Sequence, residues 1–468
     1  MWVRQAFDGA PIAEVAVDDA ETLTEKLAQA IRCFAARPGW LPAYRRIEIL
    51  KRLARLMERE SDALSMLIAR EGGKPLSDAR VETTRAINGV EGAVGEVEHL
   101  AGREIPMGLT PASQERWAFT VREPIGVVGA ISAFNHPLNL VVHQVVPAIA
   151  TGCPVIIKPA TSTPLSCLRF VELVHEAGLP PAWCQTLVVE DTALAERLAT
   201  HPSIAFLSFI GSAKVGWYLR SKLSPGARCA LEHGGAAPVI VDRSVEVDEI
   251  VGPLVKGGYY HAGQVCVSVQ RIFAHADILP QFVERLTARV RELRVGDPTL
   301  PDTEVGPLIL PKEVDRVADW VEEAVKSGGK VTTGGAPISD RVYAPTVIVE
   351  PAPEARVSRE EIFGPVTCVY SYSDIDEAIA RANSLPVAFQ SSVFARDLGV
   401  ALKAARTLDA STVLVNDHTA FRTDWMPFAG RRQSGYGVGG IPYTMHDMTH
   451  EKMIVLMLSQ QIAKRYPP

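Results

Sequence analysis

The 468-residue chain offers little from which a disulfide-stapled, membrane-spanning or nucleic-acid-binding protein could be built. Its seven cysteines, at positions 33, 153, 167, 184, 229, 266 and 368, are odd in number and irregular in spacing. There is no paired C-x-x-C set for zinc, and a disulfide framework does not suit a chain of this length. A reducing cytoplasm is therefore expected, with Cys266 free to react. No apolar run approaches the roughly 18 residues of a membrane span. Met1 to Pro11 lacks an apolar stretch of signal-peptide length. Basic blocks and acidic tails are missing as well, and the net charge of -6 is spread over both signs. Neither nucleic acid nor a membrane is expected as a partner. Internal repeats and low-complexity linkers are absent, which implies closely packed domains.

What is present is the balance of a soluble globular protein, 47% hydrophobic and 22% charged. The length calls for two or three domains. The first clear element is an amphipathic helix from Tyr44 to Arg70, with Leu50, Leu53, Met57, Leu64 and Leu67 at helical spacing. Glu71-Gly72-Gly73-Lys74-Pro75 ends it, and a second helix follows from Ser77 to Leu100. Residues 106–123 contain Trp117-Ala118-Phe119-Thr120-Val121, an alternating β-prone run that reads as an edge strand or hairpin.

From Pro124 the pattern is α/β. Strands are expected at Val127–Ile131, Val155–Ile157, Leu187–Val189 and Ala205–Ile210, each followed by a helical stretch. Such units form a parallel, doubly wound sheet whose ligands lie at the carboxyl ends of the strands, where Asn135, Lys158 and Gly211-Ser212 fall. A second α/β region after Pro238 carries helices at Val245–His261, Leu279–Leu293, Glu313–Ser327 and Ile375–Asn383, with a strand at Arg271–Ala274. The tail holds another β-prone run, Met453 to Met457.

The chemistry concentrates in two Gly-rich stretches, Gly263-Gln264-Val265-Cys266 and Glu232-His233-Gly234-Gly235. A cysteine can capture a carbonyl carbon, and a glutamate can activate water to release the product. Either stretch alone has an ordinary explanation, a buried inert thiol or a tight turn. Gly211 to Gly216 is not the usual G-x-G-x-x-G dinucleotide turn.

Seven segments in order carry a resemblance. They are Phe134-Asn135-His136-Pro137-Leu138, Ile157-Lys158-Pro159-Ala160, Phe209-Ile210-Gly211-Ser212, Leu231-Glu232-His233-Gly234-Gly235, Gly263-Gln264-Val265-Cys266, Glu361-Ile362-Phe363-Gly364-Pro365, and Asn416 with Pro427-Phe428-Ala429-Gly430. Over nearly its whole length the chain resembles the NAD(P)-dependent aldehyde dehydrogenase superfamily. The nearest branch is similar to the lactaldehyde, phosphonoacetaldehyde and succinate-semialdehyde dehydrogenases.

The resemblance implies an α/β fold with a Rossmann-type cofactor domain (1–105 and 124–231), an α/β catalytic domain (232–447) and a β oligomerisation element (106–123 and 448–468). It implies Cys266 as nucleophile, Asn135 as oxyanion donor and Glu232 as the base that releases the acid. Lys158 would bind the adenine ribose, Gly211 and Ser212 the pyrophosphate, and Glu361 the nicotinamide ribose with Phe363 beside it. A homodimer or homotetramer is implied.

Departures refine these expectations. Thr161 stands where NAD-specific relatives often carry Glu, and a hydroxyl can donate to a 2′-phosphate that a carboxylate would repel. NADP is thus favoured, with NAD also usable. Tyr260 replaces the Arg of semialdehyde-specific relatives, and Val265 replaces an Arg common beside the cysteine of phosphonate-acting ones. His143 is expected to face the substrate tunnel, and Arg422 to meet a carboxylate, phosphonate or sulfonate. The substrate expected is a small anionic or hydroxylated aldehyde. A CoA-acylating relative would lack Glu232, and a cysteine hydrolase would pair Cys266 with His261 or His233.

Overall fold

The structure is a computed structural model and describes residues 1–457. Two largely parallel sheets organise it. The first has six strands, ordered Gly435–Tyr436, Arg228–Glu232, Ile204–Ile210, Val127–Ile131, Val155–Lys158, Cys184–Thr186. All its pairings are parallel except that of Gly435–Tyr436 with Arg228–Glu232. The second has seven, ordered Lys330–Thr333, Thr346–Val349, Val366–Tyr372, Arg271–His275, Pro238–Val241, Gln390–Phe394, Thr412–Val415, with only the first pairing antiparallel.

Each sheet is covered by helices whose apolar faces make a separate core. The first core joins Val128, Ala130 and Ile157 to Leu50, Leu53, Val90 and Phe170; the second joins Ile240, Ile272 and Val369 to Leu254, Phe282 and Val317. Burial on both faces explains why these strands read as continuous apolar runs rather than alternating ones. The α/β fold expected from the sequence is the fold observed.

A third sheet pairs Thr449–Met457 antiparallel with all nine residues of Arg116–Pro124, and Glu104–Ile105 adds a short edge. The expected β-prone segments therefore meet; residues 458–468 of the expected tail lie outside the described residues. Trp117, Met453 and Val455 stand on this sheet with large exposed side chains.

Three local expectations need correction. Tyr44 to Arg70 is not one helix but two, Ala43–Arg59 and Ser61–Gly72, because Glu60 adopts a non-helical φ/ψ of -105°/13°. No Gly or Pro marks that break. The strand expected at Leu187–Val189 lies earlier, at Cys184–Thr186. Leu187 still donates its N–H to Ile157, but Val188 donates to the Asp18 carboxylate, so the run leaves the sheet. Leu187 and Val189 instead bury against Leu23 and Leu27 of a helix at Ala20–Ala35, ahead of the first element expected.

Candidate active site

The sheet ends converge on one cavity of about 640 Å³. Of the residues expected at the site, Cys266, Glu232, Asn135, Lys158, Thr161, Gly211, Ser212, Glu361, Phe363, Tyr260 and Arg422 all line it. His143 does not, and that expectation is corrected. It sits in the wall, in a second void of about 30 Å³ shared with Glu232 and Arg422.

Cys266 is held by a strained approach. His261 and Ala262 have positive φ of 49° and 55°, and Gly263 follows at 70°. A side chain at Gly263 would place its Cβ 2.1 Å from the Gly364 carbonyl oxygen, so only glycine lets the loop pass the Glu361–Pro365 turn. Such strain concentrates at functional sites, where the surrounding structure over-determines it. Burial pushes the Cys266 thiol well above its usual range; the Glu232 and Glu361 carboxylates act the same way, and the Arg422 guanidinium opposes them. On balance this environment favours the thiol over the thiolate.

Asn135 is buried, and its Nδ2 donates to the Gln264 carbonyl at 3.0 Å, tying the amide to the cysteine loop and leaving a second N–H. A buried polar cluster fixes the backbone behind it. Glu82 accepts from the N–H groups of Leu138 and Asn139 at 3.0 and 3.1 Å, pairs with the fully buried Lys74, and Lys74 in turn meets His136 Nδ1 at 2.8 Å.

Glu232 ends the strand Arg228–Glu232. Burial raises its carboxyl above the usual range, against the pull of Arg422 and Arg85. The Arg422 Nη1 lies 3.7 Å from its Oε1, while Arg422 Nε is buried without a partner. The guanidinium stacks on Phe428, 3.6 Å from the ring centroid. Behind it Asp424 gathers three groups: Arg85 donates through Nη2 at 2.8 Å, Asn139 through Nδ2 at 3.1 Å, and His143 through Nε2 at 2.8 Å. Burial opposes ionisation of Asp424, but the His143 bond and the Arg85 charge hold its carboxyl below the usual range. His143 itself is pushed down to about 4 by burial and the Arg422 charge, so it is neutral near pH 7.

Arg85, which lines the cavity, and Asp424, which pairs with it, were not singled out by the sequence. Arg85 sits on the helix Leu76–Glu96 and reaches the cavity far from any Gly-rich motif. Tyr260 is flanked by cations, Lys74 Nζ at 5.6 Å and Lys256 Nζ at 5.2 Å from its ring centroid. Neither His233 nor His261 hydrogen-bonds the Cys266 thiol among the described residues: His233 bonds Gly211, and both ring nitrogens of His261 are without partners. The geometry of a cysteine–histidine hydrolase is not assembled.

The other end of the cavity suits a dinucleotide. Ser212 precedes the helix Ala213–Ser221 and makes no side-chain capping bond, so that N-terminus presents open N–H groups to an anion. Lys158 Nζ meets Thr161 Oγ1 at 3.2 Å, a cation and a hydroxyl placed together for ribose or phosphate oxygens. Glu361 is half-buried, accepts from Gly235 N–H at 3.3 Å, and is raised to about 8 by desolvation, an acceptor held where ribose hydroxyls could reach it. A Cβ at Gly234 would fall 1.8 Å from Glu361 Oε1, so a side chain there would displace the Glu361 carboxylate. Phe363, at a φ of 49°, packs edge-on against Phe134 with centroids 5.8 Å apart.

Comparison with known proteins gives the family. The sequence profile of the Aldehyde dehydrogenase family matches residues 1–454. The chain is 35% identical over 458 residues to 3-sulfolactaldehyde dehydrogenase of Priestia megaterium, covering 98% of this chain and 95% of that one. It is 34% identical over 420 residues to lactaldehyde dehydrogenase of Methanocaldococcus jannaschii, covering 89% of each. Among solved structures, aldehyde dehydrogenase 21 of Physcomitrella patens with the reaction product succinate superposes with a TM-score of 0.94 at 33% identity, over 99% of this chain and 96% of that one. Glyceraldehyde-3-phosphate dehydrogenase GapN of Methanocaldococcus jannaschii with NADP gives 0.93 at 32% identity, over 98% and 99%. The class these similarities define is an NAD(P)-dependent oxidoreductase. The chain belongs to the aldehyde dehydrogenase family, and the reaction is oxidation of an aldehyde. No helix among the described residues is long and apolar enough to cross a membrane.

Proposed function

We propose that this enzyme oxidises a small aldehyde carrying an anionic group, or failing that a hydroxyl, to its carboxylic acid, with NADP favoured over NAD. The observation that carries the substrate reading is Arg422, a cation in the cavity wall whose Nε is buried and unpartnered beside the candidate base. The guanidinium, its side chain 9% exposed, could pair with a bound sulfonate or carboxylate from the cavity wall. Arg85, part-exposed in the same cavity, adds positive potential. The names of the relatives point the same way, to sulfolactaldehyde and lactaldehyde, and the Physcomitrella enzyme holds succinate.

In this reading Cys266 Sγ, once deprotonated, adds to the aldehyde carbon. Asn135 Nδ2–H and the backbone N–H of Cys266 hold the oxyanion that develops. A bound nicotinamide supplies a hydride acceptor. The acyl group is then left on Cys266 as a thioester, and Glu232 removes a proton from the water that cleaves it. Lys158 and Thr161 hold the adenosine end of the cofactor, Gly211 and Ser212 its pyrophosphate, and Glu361 with Phe363 its nicotinamide ribose.

The proposed segments are 1–105 with 124–231 for the cofactor, 232–447 for catalysis, and 106–123 with 448–468 for pairing of subunits; the short strands Gly435–Tyr436 and Glu104–Ile105 cross these bounds to join the first and third sheets. Supporting the pairing of subunits is the apolar exposure of Trp117, Met453 and Val455 on the three-stranded sheet. A homodimer or homotetramer would cover it.

A panel of sulfolactaldehyde, lactaldehyde, succinate semialdehyde, phosphonoacetaldehyde, glyceraldehyde 3-phosphate and benzaldehyde, each with NADP and NAD, tests the reading. The highest kcat/KM should fall on a short anionic aldehyde. Preference for benzaldehyde would overturn the proposed substrate class.

A further inference from the structure

His233 follows the candidate base directly, yet nothing in the chemistry above uses it. It is 2% exposed, and its Nδ1 lies 2.8 Å from the carbonyl oxygen of Gly211, in the turn assigned to the pyrophosphate. A carbonyl only accepts, so Nδ1 carries the proton and the ring is the neutral Nδ1–H tautomer. Its Nε2 is buried without a partner. The ring is clamped edge-to-face between Phe209 at 5.8 Å and Trp217 at 5.9 Å. It also lies against the helix Ala213–Ser221, because a Cβ at Gly216 would fall 1.9 Å from its Cε1. The strands leading into the two segments, Ile204–Ile210 and Arg228–Glu232, pair in parallel, and Gly211 N–H to the Glu232 carbonyl at 3.0 Å extends that ladder to its end. The His233 backbone N–H is spent on Ser434, leaving the imidazole as the side-chain tie between the turn and the base.

The geometry points to His233 as a positioning residue that couples the Gly211-Ser212 turn to Glu232, so that holding the turn in place orders the base. This rests on the proposed roles of those residues. A cofactor phosphate seated on the helix N-terminus would fix the Gly211 carbonyl; through Nδ1–H that fixes the imidazole, which adds a side-chain brace to the sheet bonds already holding the end of the strand that carries Glu232. Deacylation then has its base ordered only when the turn is occupied. His233 touches no reacting atom in this scheme and acts through its neighbours.

The test compares the full-length enzyme with His233→Leu, which fills the space but cannot donate, and His233→Asn, whose amide nitrogen can reproduce Nδ1. Binding of NADP and NAD is followed by the fluorescence of Trp217 and its neighbours, and the presteady-state burst is compared with steady turnover. Losing one neutral hydrogen bond should weaken cofactor binding roughly three- to tenfold in His233→Leu. It should slow steady turnover with the burst retained, and His233→Asn should recover most of both. Hydrogen exchange on the unaltered enzyme is a measurement that needs no variant. Adding cofactor should protect residues 228–235 together with 209–216, and in His233→Leu only 209–216.

If cofactor protects 209–216 alone in the unaltered enzyme, or if the Leu and Asn variants behave alike, the coupling role is wrong while cofactor binding stands. If no cofactor binds the unaltered enzyme, the underlying assignment of the site fails instead.

Discussion

The Arg422 guanidinium lies 3.7 Å from the Glu232 carboxylate, too far for a hydrogen bond and close enough for strong electrostatic coupling. It favours the charged form of Glu232, and it does the same for Cys266. One cation thus serves both candidate catalytic groups from the wall of the cavity they share.

Replacing Arg422 by Gln removes a charge that lowers the pKa of both groups. Both should then rise, because their anions lose a stabilising neighbour. The activity that grows with pH as Cys266 and Glu232 ionise should appear at higher pH in the variant. A pH profile of kcat/KM checks this, and a profile that stays in place or moves to lower pH contradicts it. KM for an anionic aldehyde should also rise, roughly tenfold or more for a lost charged hydrogen bond.

Thr161 bears on cofactor choice. Thr161→Glu would put a carboxylate beside Lys158 and near a 2′-phosphate, a repulsion of about 1–3 kcal/mol at several ångströms in a partly solvated site. Use of NADP should fall roughly ten- to a hundredfold while NAD is used as well or better. The ratio of kcat/KM for the two cofactors reads the effect directly.

Asn135→Ala removes one oxyanion donor and a tie to the Gln264 carbonyl. Acylation should slow roughly 10²–10³-fold, the usual loss for one such donor. The burst rate of cofactor reduction under single-turnover conditions is the measurement, with circular dichroism to show that the fold persists.

Gly234→Ala would drive a methyl group onto the Glu361 carboxylate, 1.8 Å from Oε1 before any relaxation. Glu361 has to move, so cofactor KM should rise severalfold or more. An unchanged cofactor KM would remove Glu361 from the proposed ribose site.

The catalytic stretches were legible in the sequence because their glycines mark close approaches, of backbone to backbone at Gly263 and of backbone to the Glu361 carboxylate at Gly234. Gly263 crosses the Gly364 carbonyl and Gly234 crosses Glu361, so both glycines sit beside the chemistry they permit. The first sheet was legible from its apolar runs, Val127–Ile131 and Ile204–Ile210 among them. Most strands of the second were not. Gln390–Phe394 begins Gln-Ser-Ser and yet is buried at every residue, since its side chains pack between layers rather than toward water. Arg85 and Asp424 escaped notice because their pairing spans a helix and a distant loop, and nothing local to either marks it. His143 was misplaced by one wall: it faces Asp424 rather than the open cavity, a matter of helix rotation that spacing alone does not fix.

The most direct test of the whole account is Glu232→Gln in rapid-mixing kinetics, with intact-protein mass spectrometry of the quenched enzyme. The account predicts a full burst of reduced cofactor, one equivalent per active site, followed by stalled turnover and an acyl group on Cys266. Loss of the burst in proportion to turnover, with no adduct on Cys266, would contradict the division of labour between sulfur and carboxylate.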